Sequence, residues 1–357
     1  MPGLRIAIDG SVLTGRFTGD RTYWSCLTAA LGELGADDTY LLYTPERPSV
    51  SLPGVDVRLL PGRNRRWWSL VRLPLAVRRD GAHLLHVQYT VSPLASLPAV
   101  TTVHDVSFLI EPSWFRPKDR LLLRLSVPAS MRRAKRVITV SEASRRDILA
   151  LTGLPPEKVA VTPLAPPPGF SPVSGAAHIV EQRLGLKQPY VLVVGTMQPR
   201  KNQGLAIRAF AEARQAASFP HVLAVAGKEG WGRQEAECDA VQLLGYVPDD
   251  LLPALYSAAD ALLFPSLYEG FGLPVLEAMA CGCPVVCSDR GALPEVAGDA
   301  ALVLPPEPGR WRDALMEMLA APDRREELRR RGLDRAKMFT WRETARRTSE
   351  VYGEVAK

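Results

Sequence analysis

Two glutamates with seven residues between them, Glu269 and Glu277 in SLYEGFGLPVLEAMACGCPVV, carry the strongest chemical signal in the chain. They straddle a glycine-bearing turn and the start of a helix, and Pro274 suits a first helical turn because its missing N–H would be unpaired there anyway. The backbone N–H groups of Phe271, Gly272 and Leu273, just after Gly270, are then left for an anion, assisted by the helix dipole. A phosphate or a sugar hydroxyl fits. The helix that follows is apolar on nearly all faces, so Glu277 must reach a hydrogen-bonding partner or bear a desolvation cost. Ribose hydroxyls would supply that partner, and so would an internal arginine.

A second signal is VLVVGTMQPRKNQGLAI, a strand-to-helix turn that carries Arg200 and Lys201 past the C-terminal end of a strand, the side on which open α/β sheets bind ligands. A cation about 4 Å from a phosphate oxygen is worth roughly 4 kcal/mol at an effective dielectric of 20, enough to neutralise a departing diphosphate in place of a metal. The chain has no Asp-x-Asp pair and no His, Asp or Glu cluster at metal-ligand spacing, which disfavours a metal-dependent site; no cofactor is expected. A solvated Arg-Lys pair at a helix start is the ordinary alternative. A third signal, VTTVHDVSF, sets His104 and Asp105 at the end of another strand, where His104 would point into the same cleft from a second domain or serve packing alone.

The elements that must hold these residues read as alternating strands and helices. Short apolar runs at 4–9, 40–43, 84–87, 100–103 and 137–140 alternate with helical patterns, among them 23–34, as a parallel sheet covered by helices does. Around 162–189 the pattern dissolves into TPLAPPPGFSPVSGAA, a connection that places the domain boundary near residue 175. Alternation resumes with strands at 190–195, 221–226, 241–244, 261–264, 284–288 and 301–304. The Arg/Glu/Leu-rich segment from Trp311 is expected to return in part to the first domain. The expected organisation is an α/β chain of two domains at 1–175 and 176–340, with a C-terminal helix at 341–357 packing back on the first. A length of 357 residues, beyond the roughly 100–200 of one domain, agrees.

With 46% hydrophobic and 23% charged residues, the chain falls outside the disordered, fibrous and disulfide-stapled classes. The opening MPGLRIAIDG is too short in apolar length for a secretory signal, and the longest apolar stretch, 271–287, is broken by Glu277 and two prolines. A cytoplasmic location is the expectation. Cys26, Cys238, Cys281, Cys283 and Cys287 form no C-x-x-C pair and read as reduced thiols. A net charge of +6 favours an anionic partner, whether nucleotide, phospholipid surface or nucleic acid.

Taken together, IDGSVLTG, TYWSCL, HDVSF, ITVSEASRRDIL, GTMQPRKN, LLGYVPDDLLPALYSAADALLFPS, YEGFGLPVLEAMACGCPVV and LPEVAGDAALVLPP resemble the glycosyltransferases of family 4 over most of the chain. The resemblance implies a GT-B fold, two facing Rossmann-like domains with parallel sheets and a cleft between them, the N-terminal one on the acceptor side and the C-terminal one holding the donor. It implies metal-free transfer of a hexose from a nucleotide-diphosphate sugar with retention of anomeric configuration, to a glycan or lipid-linked acceptor. By resemblance Glu269 lies near the donor sugar, Glu277 holds the ribose, Arg200 and Lys201 stabilise the diphosphate, and His104 lies beside the donor sugar. The backbone at Tyr246 and Val247 corresponds to the base contact. The loop bounded by Gly15 and Gly19 corresponds to the region near the diphosphate and acceptor, although RFTGDRTY departs from the commoner Gly-Ile-Gly-Arg-Tyr type. HDVSF resembles members that use GDP-mannose or related hexose donors.

Two basic stretches, GRNRRWWSLVRLPLAVRR and FRPKDRLLLRLSVPASMRRAKR, suggest peripheral contact with an anionic membrane at its inner face, with Trp67 and Trp68 at the lipid boundary. Solvated helix faces with inward tryptophans are the alternative. Rival readings are a nucleotide-sugar epimerase on the same fold and a non-catalytic nucleotide-sugar binding protein; a glycosyl phosphorylase is discounted because this chain is short for one and shows no pyridoxal-phosphate lysine motif. Nucleic-acid binding is discounted because the basic residues lack interleaved aromatic platforms.

Overall fold

The computed structural model describes residues 3–14, 19–35, 37–62, 64–230 and 239–357. The first half runs β1 (Arg5–Asp9), α1 (Gly19–Gly32), β2 (Thr39–Thr44), β3 (Val55–Leu59), α2 (Arg65–Trp67), α3 (Leu73–Arg79), β4 (Leu84–Gln88), β5 (Ala99–Thr102), α4 (Ser107–Ile110), α5 (Pro117–Arg133), β6 (Arg136–Thr139), α6 (Glu142–Thr152) and β7 (Val159–Val161). The second runs α7 (Ala176–Leu184), β8 (Tyr190–Val194), α8 (Gln203–Ala216), β9 (Val222–Ala226), β10 (Val241–Gly245), α9 (Leu252–Ser257), β11 (Ala261–Phe264), α10 (Leu273–Ala280), β12 (Val285–Ser288), α11 (Leu293–Ala297), β13 (Leu302–Leu304), α12 (Pro308–Ala320), α13 (Pro322–Lys337) and α14 (Trp341–Val355).

These elements form two compact units, one of Met1–Leu164 with Thr340–Lys357 and one of Ala165–Phe339. The division precedes residue 175 because the proline-rich stretch packs on the second unit. There the Phe170 ring centroid lies 6.2 Å from that of Tyr256, and Val173 N–H donates to Ser257 Oγ at 3.1 Å. Of the segment after Trp311, α12 and α13 stay in the second unit, and only α14 belongs to the first.

The first unit holds a parallel sheet in the order β3-β2-β1-β4-β5-β6-β7, the second a parallel sheet in the order β10-β9-β8-β11-β12-β13. Their central strands are near-continuous apolar runs, such as YVLVV in β8 and ALLF in β11, because helices cover both faces. In each sheet the order turns back between two paired strands, β1 and β4 in the first and β8 and β11 in the second. At such a switch point the connections leave in opposite directions, opening a crevice beyond the carboxyl ends of the strands. The core of the second unit places Phe210 of α8 and Trp311 of α12 against Leu223, Val225, Leu263 and Val286, all at most 1% exposed. Side chains of this size contribute roughly 1.5–3 kcal/mol each when fully buried.

Local chemistry sets the helix ends. Ser141 Oγ caps α6 by accepting from Ser144 N–H at 3.0 Å, and Gly153 closes it at φ +65°. At α14 Thr340 Oγ1 accepts from Glu343 N–H at 3.2 Å. Glu343 in turn pairs with Arg346 and Arg347, both at 2.7 Å, as i,i+3 and i,i+4 neighbours on the exposed side of the same helix.

Candidate functional site

In the second unit, Arg200 and Lys201 follow β8, and Glu269 follows β11, so the switch-point pair of strands brings residues 68 and 69 positions apart into one cluster. Lys201 Nζ donates to Glu269 Oε1 at 2.7 Å and Arg200 Nη1 to Oε2 at 3.0 Å. Arg200 also donates to the Tyr268 carbonyl at 2.7 Å, and its own carbonyl accepts from Leu267 N–H at 2.8 Å, which ties the two loops together. Lys201 Nζ lies 5.1 Å from the centre of the Phe264 ring, and its stem rests on Gly195. Burial alone would raise the Glu269 carboxyl, but the two adjacent cations outweigh it and bring the pKa down to about 2. The cluster is an ionised carboxylate holding two cations beside a crevice.

The Glu269 backbone is held as firmly as its side chain. Its carbonyl accepts from Ala292 N–H at 3.0 Å, and a side chain on Gly291 (φ +59°) would stand 2.4 Å from that same oxygen. Gly272, at φ +99°, is the N-cap of α10, with no side-chain capping bond; the N–H groups of Phe271, Gly272 and Leu273 donate to no group among the described residues. Gly270 lies between Glu269 and this turn and has a partner of its own.

Glu277, on α10, is 8% exposed and lies in neither ion pair. Among the described residues neither an arginine nor any other cation is its hydrogen-bond partner. The buried Tyr256 hydroxyl of α9 donates to Glu277 Oε2 at 3.0 Å. Burial raises its pKa to about 7, with Asp249 adding and Tyr256 and Lys201 opposing. This carboxyl is thus close to half-ionised near neutrality, the opposite of Glu269. Tyr246 and Val247 follow β10; Val247 is buried, while the Tyr246 ring is 47% exposed and carries Lys228 Nζ at 4.4 Å from its centre.

In the first unit, His104 follows β5 and receives a hydrogen bond on Nε2 from the Gln88 side-chain amide at the end of β4, 2.6 Å away. Asp20 Oδ1 of α1 stands 3.7 Å from the same nitrogen, and the Tyr23 ring packs edge-on at 4.7 Å. Burial lowers the His104 pKa despite Asp20 and Asp105. Gly19 starts α1; Gly15 and Cys238 lie outside the described residues. Beyond the ends of β1, β2 and β3 lies a cavity of about 540 Å³ lined by groups that include Ser11, Thr14, Glu46, Arg65 and Trp68. Trp68 is inward, with its indole N–H on the Leu60 carbonyl, whereas Trp67 is 53% exposed.

Tyr256, Gly291, Gln88 and Tyr23 were not singled out by sequence. A tyrosine in the apolar run LLPALYSAAD was the available signal for the first, since a buried hydroxyl needs a partner. Among the described residues no helix is long and apolar enough to cross a membrane, and no group of three or more His, Cys, Asp or Glu is gathered to hold a metal ion.

Residues 23–165 match the family described as Glycosyltransferase Family 4 and residues 177–335 that described as Glycosyl transferases group 1. Among curated relatives, O-antigen chain mannosyltransferase B of Escherichia coli is 37% identical over 310 residues, covering 83% of this chain and 78% of that protein. Among solved structures, sucrose-phosphate synthase from Thermosynechococcus elongatus superposes with a TM-score of 0.76 at 22% identity, over 99% of each chain. Anabaena Alr3699/HepE in complex with UDP and glucose gives 0.74 at 18% identity, over 98% of this chain and 100% of that one. The chain belongs to the family 4 glycosyltransferases, has the GT-B fold, and acts on a nucleotide-sugar donor and an acceptor.

Proposed function

We propose that this glycosyltransferase moves mannose from GDP-mannose to a glycan or lipid-linked acceptor, without a metal ion and with retention of the anomeric configuration. The observation that carries the reading is Glu269 held between Arg200 and Lys201 beyond the ends of β8 and β11. Two cations sharing one carboxylate can turn toward an incoming diphosphate and take up the charge that develops as the sugar C1–O bond breaks. The acceptor oxygen forms its bond to C1 on the face the diphosphate leaves, and the acceptor proton passes to the departing phosphate oxygen. Glu269 then faces the donor sugar, Glu277 takes the ribose hydroxyls, and the turn at Phe271–Leu273 offers its N–H groups to the donor. Tyr246 and Val247 are assigned to the base, His104 to the donor sugar. The name of the Escherichia coli relative, an O-antigen chain mannosyltransferase, supports both the sugar and a polysaccharide acceptor.

The first unit is proposed to receive the acceptor, with the cavity at Ser11, Thr14, Glu46 and Arg65 as its polar lining. Peripheral contact with the inner face of an anionic membrane is supported by α5 rather than by the paired tryptophans. Its Leu121 and Leu125 are 63% and 67% exposed among the exposed Lys118, Arg120 and Arg124. Retention is tested by anomeric NMR of the linkage formed from GDP-mannose on a synthetic mannoside. An α-linked product agrees, and a β-linked one rejects the mechanism.

A further inference from the structure

Behind His104 the first unit contains a line of buried polar groups that a sheet core does not require. Tyr352 Oη of α14 lies 2.6 Å from His86 Nδ1; His86 Nε2 lies 2.8 Å from Thr102 Oγ1; Thr102 Oγ1 lies 2.9 Å from Tyr23 Oη. Tyr352, His86 and Thr102 are fully buried and Tyr23 is 1% exposed. The line ends on the ring of Tyr23, whose edge-on contact with His104 has an interplanar angle of 89°. The start of α14 reaches the same tyrosine, with the Trp341 ring centroid 6.4 Å away. One helix from the far end of the sequence therefore holds Tyr23 from two directions.

We propose that Tyr352 is a positioning residue for His104, acting through His86, Thr102 and Tyr23. Burial keeps His86 neutral, its pKa lowered to about 3, so its ring has one N–H and one lone pair. The hydroxyls on its two sides must then act in opposite senses, one donating and the other accepting. A choice made at Tyr352 is passed to Thr102, and where Thr102 donates to His86 its single proton is used, so Tyr23 must donate to it. Loss of the Tyr352 hydroxyl leaves a buried ring nitrogen unpaired and frees His86 to change tautomer, so the sense of the Thr102–Tyr23 bond that orients the ring beside His104 is no longer fixed. Gln88 holds the other side of the imidazole, so a displaced Tyr23 shifts His104 against that amide. The consequence for turnover rests on the assignment of His104 to the donor sugar.

The test uses the full chain labelled with 15N-histidine, in which five imidazoles give a tractable spectrum. Tyr352→Phe and Tyr23→Phe keep the packing rings and remove one hydroxyl each. The expected result is displaced His104 ring-nitrogen signals in both variants, with GDP release from GDP-mannose slowed roughly tenfold or more in kcat. KM for GDP-mannose, governed mainly by the groups assigned to its nucleotide and diphosphate in the second unit, stays within about twofold. Unmoved His104 signals in both variants overturn the proposal, as does a loss of kcat matched by the same loss of donor affinity and melting temperature. If Tyr352→Phe does not fold, Thr102→Val, which cuts the line between His86 and Tyr23 at nearly constant shape, decides on the same readouts. Moved signals with unchanged turnover overturn the functional half, because His104 then has no part in transfer, while the failure of unaltered enzyme to release GDP from GDP-mannose rejects the donor assignment instead.

Discussion

Replacing Glu277 by glutamine should remove a loss of stability that the free enzyme otherwise suffers as pH rises through neutrality, while weakening the site. The Glu277 carboxyl has a folded-state pKa of about 7, raised from the usual 4.5 by burial. The folded chain binds this proton more tightly than the unfolded chain, so the contribution is fully present below pH 4.5 and is lost as pH rises through 7. Across that window ionisation costs the native state about 3 kcal/mol; between pH 5 and pH 8 the change is roughly 2.5 kcal/mol. Glutamine keeps an oxygen to accept from Tyr256 and never ionises. Any penalty for its buried amide is the same at both pH values and cancels in the comparison. Urea unfolding of both proteins at pH 5 and pH 8, in the absence of nucleotide, should show the variant gaining roughly 2.5 kcal/mol on wild type between the two conditions. A constant difference, or one that falls at pH 8, would refute the reasoning and remove Glu277 as a buried, proton-bearing carboxyl. The same variant should bind GDP more weakly, because an amide oxygen accepts less strongly from ribose hydroxyls than a carboxylate.

Glu269→Gln removes the anion that neutralises Arg200 and Lys201, so calorimetric titration should show GDP binding roughly tenfold tighter, about 1.4 kcal/mol, while sugar transfer is lost. Weaker GDP binding would deny those cations a place at the diphosphate. Gly291→Ala forces a side chain against the Glu269 carbonyl, costing roughly 1–3 kcal/mol and most of the turnover. Gly185→Ala, at φ +64° with open space around it, costs roughly 1 kcal/mol and leaves turnover intact. Equal turnover in the two glycine variants counts against the placement of Glu269. Replacing Leu121 and Leu125 by serine should abolish co-sedimentation with phosphatidylglycerol vesicles without altering melting temperature; sedimentation unaffected by the change excludes α5 as the contact.

What the sequence made legible follows from how strongly each feature is specified locally. The buried central strands were readable because parallel strands covered on both faces are nearly uninterrupted apolar runs. β3 and β7 were missed. β3 is VDVRL at the sheet edge, where its alternation of half-exposed and exposed residues looks like loop, and β7 is the three-residue VAV. The turn geometry after Glu269 was readable from Gly272 and Pro274, whereas the partner of Glu277 was not. Tyr256 lies 21 residues away on a separate short helix, and only packing brings its hydroxyl to the carboxylate. Adjacent tryptophans posed a different problem. Trp67 and Trp68 sit where α2 passes through a π-turn at Trp68–Arg72 before α3, and the wider turn shifts which face points inward. The line from Tyr352 to Tyr23 spans most of the chain and has no local signature.

The central claim is tested most directly by offering GDP-mannose, GDP-fucose, UDP-glucose, dTDP-rhamnose and ADP-glucose in EDTA, and following nucleoside diphosphate release by the native chain, Glu269→Ala and Lys201→Ala. The account predicts release from GDP-mannose alone, undiminished by EDTA and absent in both variants. Release from another donor, release abolished by EDTA, or undiminished release by either variant would contradict it.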